Sequence, residues 1–232
     1  MRIAIMQPYL LPYIGYFQLM SAANRFVVYD NIKFTKQSWI NRNRIANNGQ
    51  ESFFTIPLKA ERDSTEIVNR SIADSFNSEK MLNKFRGAYQ RAPFFNETFP
   101  LVEKIMTHKA ENLFAFIFHS LHTTAEHLRI PDNLVVSSAV SANHQLKGQD
   151  RVIAICNALG ATEYINPEGG VDLYSRTAFS REGIELKFLQ SRPLKYEQSS
   201  EPFLPKLSIV DVLMFNSRDS VAHLIREHFD YI

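Results

Sequence analysis

Arg42 and Arg44 stand two residues apart beside Trp39, Asn41 and Asn43, a set suited to an anionic ligand that also carries a ring. A guanidinium fork grips a diphosphate bidentately, which an ammonium does less well. An indole stacks on a base or sugar, and paired amides supply directed hydrogen bonds. Asp30 and Lys36 precede this run, and Asp30 ends a strand-like stretch, the edge on which an open α/β fold builds its site. Gln7, Tyr9, Tyr13, Gly15 and Tyr16 form a second set, directly after the first apolar run. Phenols donate hydrogen bonds to phosphate or sugar oxygens, and a glycine admits a ligand close to the backbone. Asn166, Gly169, Gly170 and Tyr174 form a third, since two adjacent glycines before a helix start make a backbone nest for an oxyanion. His144, in a polar loop beside Asn143 and Lys147, is a candidate general base, with Asp30 and Tyr13 as the other candidate catalytic groups. Each set also has a plain reading: tyrosines that pack a helix on a sheet, a solvated hairpin, and an ordinary turn.

Other reactive-looking residues carry less. His119 and His122 lie three apart on a helical pattern, but no carboxylate or cysteine at ligand spacing completes a metal site, so no metal is expected. Cys156 is the single cysteine and sits among Val152, Ile153, Ile155 and Leu159, as a small buried thiol does. It excludes an internal disulfide and fits a reducing cytoplasm. Asp211, flanked by apolar residues, is either a buried acid with a raised pKa or a helix-capping partner. The net charge of +2 is too mild for a nucleic-acid binder, which concentrates basic residues in a stripe. No apolar run reaches membrane-spanning length, and the amino terminus has a strand pattern in place of a leader. A soluble cytoplasmic protein without a membrane span is expected.

The elements that must position these residues read as follows. Strand-like runs at 3–6 and 25–29 flank a helical pattern at 10–23, the βαβ sign of a parallel sheet. Two β-rich runs within 39–58 meet at Asn47-Asn48-Gly49, a hairpin signal. If 39–45 is extended, Trp39, Asn41 and Asn43 share one face and Ile40, Arg42 and Arg44 the other. Helical spacing at 78–90, 97–106 (capped by Asn96) and 110–128 predicts a helical insert or cap over 78–128. Strand character returns within 131–141, followed by a helix at 149–159, a strand at 163–165, a short helix near 173–179 and an alternating strand at 184–188. Helices at 209–215 and 220–229, the last capped near Asp219 or Ser220, complete the chain. The sum is one α/β domain over 1–232: a Rossmann-like, mostly parallel sheet with a β-hairpin and the helical insert. A chain of 232 residues with 45% hydrophobic composition can bury such a core.

Two resemblances follow from these motifs. Tyr13-Ile-Gly-Tyr16 is similar in spacing and placement to the His-x-Gly-His signature of nucleotidyltransferases, with both histidines replaced by tyrosines. More of the chain resembles the WbqC-like family of bacterial proteins, through residues 5–19, the Trp39-Ile-Asn-Arg-Asn-Arg-Ile45 run, the 166–174 loop and Ser208-Ile-Val-Asp211. That likeness implies a link to surface polysaccharide such as O-antigen, and hence a nucleotide-activated sugar, often an amino sugar, as substrate. The expectation is a transferase that adds an N-acyl or aminoacyl group to a nucleotide-linked amino sugar, with a carrier protein or coenzyme A as donor. Arg42 and Arg44 would hold the diphosphate, Tyr13 and Tyr16 position the sugar, and His144 or Asp30 remove a proton from the attacking amine. Two alternatives stand beside it: a nucleotidyltransferase or adenylate-forming ligase using ATP or CTP with magnesium, and a non-catalytic assembly protein.

Overall fold

The structure is a computed structural model that describes residues 1–199 and 201–232. Its centre is a six-stranded sheet in the order β5-β2-β1-β6-β7-β8, with strands β1 (Arg2–Met6), β2 (Arg25–Val28), β5 (Leu134–Val136), β6 (Glu163–Pro167) and β7 (Glu185–Ser191) parallel. Ile3, Ala4, Phe26, Val27 and Val28 are all fully buried, so the middle strands are apolar on both faces, as a covered parallel sheet requires. Successive connections run outward from β1 to β2 and β5, then cross to β6 and β7, so the strand order reverses between β1 and β6. The carboxyl ends of those two strands therefore border a crevice. An edge strand absent from the expectations, β8 (Phe229–Tyr231), runs antiparallel to β7.

Helices cover both faces. On one side α1 (Ile14–Ala22) is wedged between the sheet and α8 (Arg218–Glu227), and seven of its nine residues are buried, so its apolar character goes all the way round. The buried amide of Gln18 is satisfied there: it donates to the Leu224 and His228 carbonyls (3.2 and 2.9 Å) and accepts from the Ser191 hydroxyl (2.6 Å). α7 (Ile209–Phe215) lies on the same side; α8 starts from a Ser217 cap, two or three residues earlier than the sequence pattern indicates. On the other face, α5 (Gly148–Ala158) and α6 (Arg176–Arg181) enclose Val152, Ile155, Cys156 and Phe179. Burial pushes the Cys156 thiol up to about 12. Iodoacetamide at pH 8 is therefore expected to leave Cys156 unlabelled in the native protein and to alkylate it once denaturant is added. Rapid native labelling, read by intact mass, would contradict the packing of this face.

Between β2 and β5 the chain builds the hairpin β3 (Arg42–Asn47) and β4 (Gln50–Thr55), then α2 (Ser78–Tyr89), α3 (Phe95–Met106) and α4 (Leu113–His127). Asn48 and Gly49 both take left-handed φ (51° and 74°), the geometry that suits a two-residue hairpin turn. Asn77 and Asn112 cap α2 and α4 by accepting from the Lys80 and Ala115 amides (2.8 and 3.0 Å). α3 begins at Phe95, so Asn96 lies inside it and does not cap it. The Phe54 ring meets Phe85 edge-on at 5.0 Å, which packs the hairpin's inner face on α2. Among the described residues no helix is long and apolar enough to cross a membrane.

Candidate functional site

The loop after β1 is tied to the hairpin and to the start of α7. The Asn43 side-chain amide donates to the Leu10 and Leu11 carbonyls (2.9 and 2.8 Å), and the Leu11 carbonyl also accepts from the Ser208 hydroxyl at 2.7 Å. Leu11 itself has φ 42°, an uncommon conformation for a leucine, and its carbonyl is where these bonds converge. The Leu10 amide donates to the Trp39 carbonyl (3.0 Å), and the Ile209 amide to the Pro12 carbonyl (2.9 Å). A cleft of about 210 Å³ opens in this junction, lined by Tyr9, Pro12, Tyr13, Trp39, Asn43, Arg44 and Lys206. The amino-terminal turn and the arginine-bearing hairpin thus meet at one site.

The hairpin's outer face continues that cleft. Strand pairing sets Arg44 opposite Phe53 and Arg42 opposite Thr55, while Asn43 pairs with Phe54 on the inner face. Regular extension stops before Arg42, and Trp39 swings to the arginine side, in contrast to the alternation expected from 39–45. Arg44 stacks over the Trp39 ring (5.6 Å), Trp39 lies parallel to Phe53 (6.3 Å, 10°), and Arg42 stacks over Phe53 (5.0 Å). Trp39 and Phe53 remain 37% and 44% exposed, so two rings flanked by two cations lie on a surface open to solvent. Arg42 also donates to the Gln37 carbonyl at 2.7 Å, and Arg44 pairs with Glu51. The Asn41 amide is engaged with the Ile56 carbonyl (2.9 Å), so it, like Asn43, positions backbone. Lys36 stands apart, paired with Asp63 at 2.7 Å on exposed surface.

The tyrosines divide. Tyr13 precedes α1 and lines the cleft; burial first, then the Glu168 carboxylate and Tyr9, push its phenol above the ordinary value, so it is a protonated donor at neutral pH. Burial likewise raises Tyr9. Tyr16 is enclosed by Tyr9, Phe17 and Phe26, and its hydroxyl donates to the Gln7 carbonyl at 2.9 Å, so it packs the first helix. Gly15 is needed for Tyr13: a methyl group there would sit 2.4 Å from Tyr13 Cε2 and 2.6 Å from Ser191 Oγ.

Asp30 and His144 lie together at the carboxyl edge of β2 and β5, outside the cleft lining. Asp30 is fully buried; one oxygen accepts the Ser138 amide (2.9 Å) and the other the Ser138 hydroxyl (2.6 Å), fastening β2 to the turn after β5. His144 Nε2 is 2.9 Å from the Val140 carbonyl, which can only accept, so the tautomer assigned carries its hydrogen on Nε2. Nδ1 then faces two donors, Asn31 Nδ2 at 3.2 Å and Arg151 Nη2 at 3.3 Å. Both ring nitrogens are engaged. Arg151 Cζ sits 5.0 Å over the Tyr29 ring.

The third sequence set is packed differently from a nest. Residues Glu168–Leu173 form a 3-10 turn, and Gly170 lies against Asn166 so closely that a methyl group would sit 2.0 Å from Asn166 Oδ1. Asn166 Nδ2 donates to the Tyr164 hydroxyl (2.7 Å), and Tyr174 closes edge-on against Tyr164 at 5.6 Å. A methyl group at Gly169 would meet no atom within 4 Å. The loop comes near the cleft through Glu168, whose charge acts on Tyr13.

Behind the cleft sits a group that residue spacing alone left undecided. Asp211 is fully buried and accepts from Tyr89 (2.6 Å), Tyr196 (2.5 Å) and Gln198 Nε2 (3.1 Å). Burial holds its carboxyl above the ordinary range against the opposing pull of those donors. Lys206, a cleft residue, carries no motif that marks it, and only the fold brings it opposite Trp39. His119 stacks on His108 at 3.8 Å, and among the described residues no group of three or more His, Cys, Asp or Glu is placed to hold a metal ion.

A mostly parallel sheet with a strand-order reversal, joined to a hairpin that carries stacked cations and rings, defines an α/β protein whose cleft is lined by phenol, indole, arginine and lysine side chains. The chain belongs to the WbqC-like protein family, which it matches over residues 7–223. It is 25% identical over 220 residues to the uncharacterized protein Rv1507c of Mycobacterium tuberculosis, with 93% of each chain covered. No solved structure matches it.

Proposed function

We propose that this protein is a transferase of bacterial surface polysaccharide synthesis that binds a nucleotide-linked amino sugar and adds an N-acyl or aminoacyl group to it. The observation that carries the reading is the cleft in which Arg44 and Lys206 lie with Tyr9, Tyr13 and Trp39. Two cations and two phenols suit a diphosphate and the hydroxyls of a sugar, and the indole suits a ring. At about 210 Å³ the cleft is smaller than the ~300–1,000 Å³ typical of a pocket that encloses a whole ligand. It takes the diphosphate and one ring, and the rest of the nucleotide lies along Trp39, Phe53 and Arg42. The acyl donor is a coenzyme A thioester or an acyl carrier protein, and the reaction takes place in the cytoplasm. With Asp30 and His144 engaged by Ser138, Val140, Asn31 and Arg151, the reading rests on binding and orientation by Tyr9, Tyr13, Arg44 and Lys206.

Isothermal titration with nucleotides and nucleotide amino sugars tests this. One nucleotide amino sugar is expected to bind, and Arg44→Ala to weaken it about tenfold or more, since a charge-assisted hydrogen bond contributes ~1.5–3 kcal/mol. Unchanged affinity in Arg44→Ala for every ligand that binds overturns the assignment. The nucleotidyltransferase reading draws on the position of Tyr13 before α1, and would show as pyrophosphate release from ATP or CTP with magnesium. Tyr16, turned inward to the Gln7 carbonyl, counts against it.

A further inference from the structure

Between β7 and α7, residues 192–199 and 201–208 are described, and Lys206 among them lines the cleft. Part of this segment is held by a single side chain. Gln198 Oε1 accepts the Leu204 amide at 2.8 Å, and its Nε2 donates to the Leu204 carbonyl at 3.0 Å, so one amide brackets both polar groups of one residue. The same Nε2 is 3.1 Å from Asp211 Oδ1 and 3.2 Å from the Tyr196 hydroxyl, which itself donates to Asp211 at 2.5 Å. Asp211 belongs to the buried helix α7, so the bracket is anchored in the core. Tyr196 is fixed besides by Phe203, edge-on at 5.3 Å.

Downstream of Leu204 the chain is pinned again almost at once. The Pro205 carbonyl accepts from Arg44 Nη2 at 3.4 Å, the Ser208 amide donates to the Arg44 carbonyl at 3.0 Å, and Leu207 is buried. Lys206 lies between these fixed points with φ 54°, a left-handed conformation that a lysine adopts only where its surroundings impose it. The left-handed turn lets the chain bury Leu207 while Lys206 stays at the cleft wall.

We infer that Gln198 is a positioning residue which, anchored on Asp211, holds Lys206 as the second cation of a diphosphate site shared with Arg44. This rests on the reading of the cleft given above and deepens it: two cations carried by separate elements select a diphosphate over a single phosphate. Gln198 touches no ligand. Its effect passes through Leu204 to the orientation of Lys206.

Titration calorimetry of the full chain with inorganic pyrophosphate, and with inorganic phosphate for comparison, tests the inference. Pyrophosphate is expected to bind more tightly than phosphate, and Lys206→Ala to weaken it about tenfold. Gln198→Ala is expected to produce a similar loss, and the double variant to bind no more weakly than Lys206→Ala alone, because without the ammonium there is nothing left to position. Hydrogen exchange supplies a readout free of ligand: the Leu204 amide is expected to be protected in the wild type and to exchange faster in Gln198→Ala. If Gln198→Ala does not fold, Gln198→Met, which fills a similar volume and offers Leu204 neither the amide acceptor nor the amide donor, takes its place. Losses that add in the double variant, or a Leu204 amide indifferent to Gln198, overturn this inference while leaving the diphosphate cleft standing. A wild-type protein with no affinity for pyrophosphate overturns both.

Discussion

Asp211→Ala is expected to lower folding stability by about 3 kcal/mol, a fall of roughly 6–12 °C in melting temperature for a chain of this size. Three donors converge on this carboxylate, two phenols and one amide, and it is fully buried. Truncation leaves the buried Tyr89 hydroxyl without its acceptor, and an unsatisfied buried polar group costs ~1–3 kcal/mol. It also frees Tyr196 and Gln198, which brace the segment before α7. Tyr89→Phe, which removes one donor and leaves the acceptor partnered, is expected to cost clearly less. Urea denaturation of the three proteins checks the order, and an Asp211→Ala protein within about 0.5 kcal/mol of wild type would mean that the cluster is not closed as described.

The same carboxyl makes stability depend on pH. Because burial raises its folded-state value, the folded chain holds this proton more tightly than the unfolded chain does. The resulting stabilisation is fully present below the ordinary carboxylate value, ~3.9, and is lost as pH climbs through the higher folded value. The stability of wild type relative to Asp211→Asn, which cannot ionise, should therefore fall as pH rises from about 4. A difference that grows with pH has the opposite sign and would place the folded-state value below the ordinary one.

Gly15→Ala is the second large effect, and it acts on the cleft. Within α1 an alanine is favoured over glycine by roughly 1 kcal/mol when space allows. Space does not allow it here, because the new methyl group would lie 2.4 Å from Tyr13 Cε2, 2.6 Å from Ser191 Oγ and 2.7 Å from Tyr13 Cζ. Tyr13 must leave its position, and Ser191 must break its 2.6 Å bond to the buried Gln18. Overpacking of this kind costs about 1–3 kcal/mol. Affinity for the cleft's ligand is expected to drop about tenfold or more as the phenol is displaced. Combining Gly15→Ala with Tyr13→Ala removes one of the two clashes, so the double variant should be more stable than the sum of the single losses predicts. Gly15→Ala with wild-type stability and wild-type binding would show that Tyr13 is free to move and is no fixed wall of the site.

Much of the framework is legible from short-range pattern. The run of Ile3 to Met6 reads as a buried strand because its apolar residues are continuous, and α4 reads as a helix because Leu113, Phe116, Ile117 and Leu121 recur at helical spacing after Asn112. Asn47-Asn48-Gly49 announces its turn because asparagine and glycine accept positive φ cheaply. Trp39 escapes this logic, since alternation holds only where the strand is regular, and the chain straightens only from Arg42. β8 escapes it as well, being three residues whose pairing with β7 is a long-range matter.

What the amino-acid sequence determined by itself is the mixed α/β class, the hairpin with its two arginines, and the helices between β4 and β5. Those are properties of neighbours within a few residues, where periodicity and turn preference act directly. Tertiary structure alone decided that Tyr13 and Tyr16 part company, that Asp30 is locked onto Ser138, that Lys206 reaches the cleft, and that Tyr89 closes on Asp211 across 122 residues. Each of those outcomes depends on which distant groups come to share a dry interior, and a buried polar atom takes the partner the packing delivers to it.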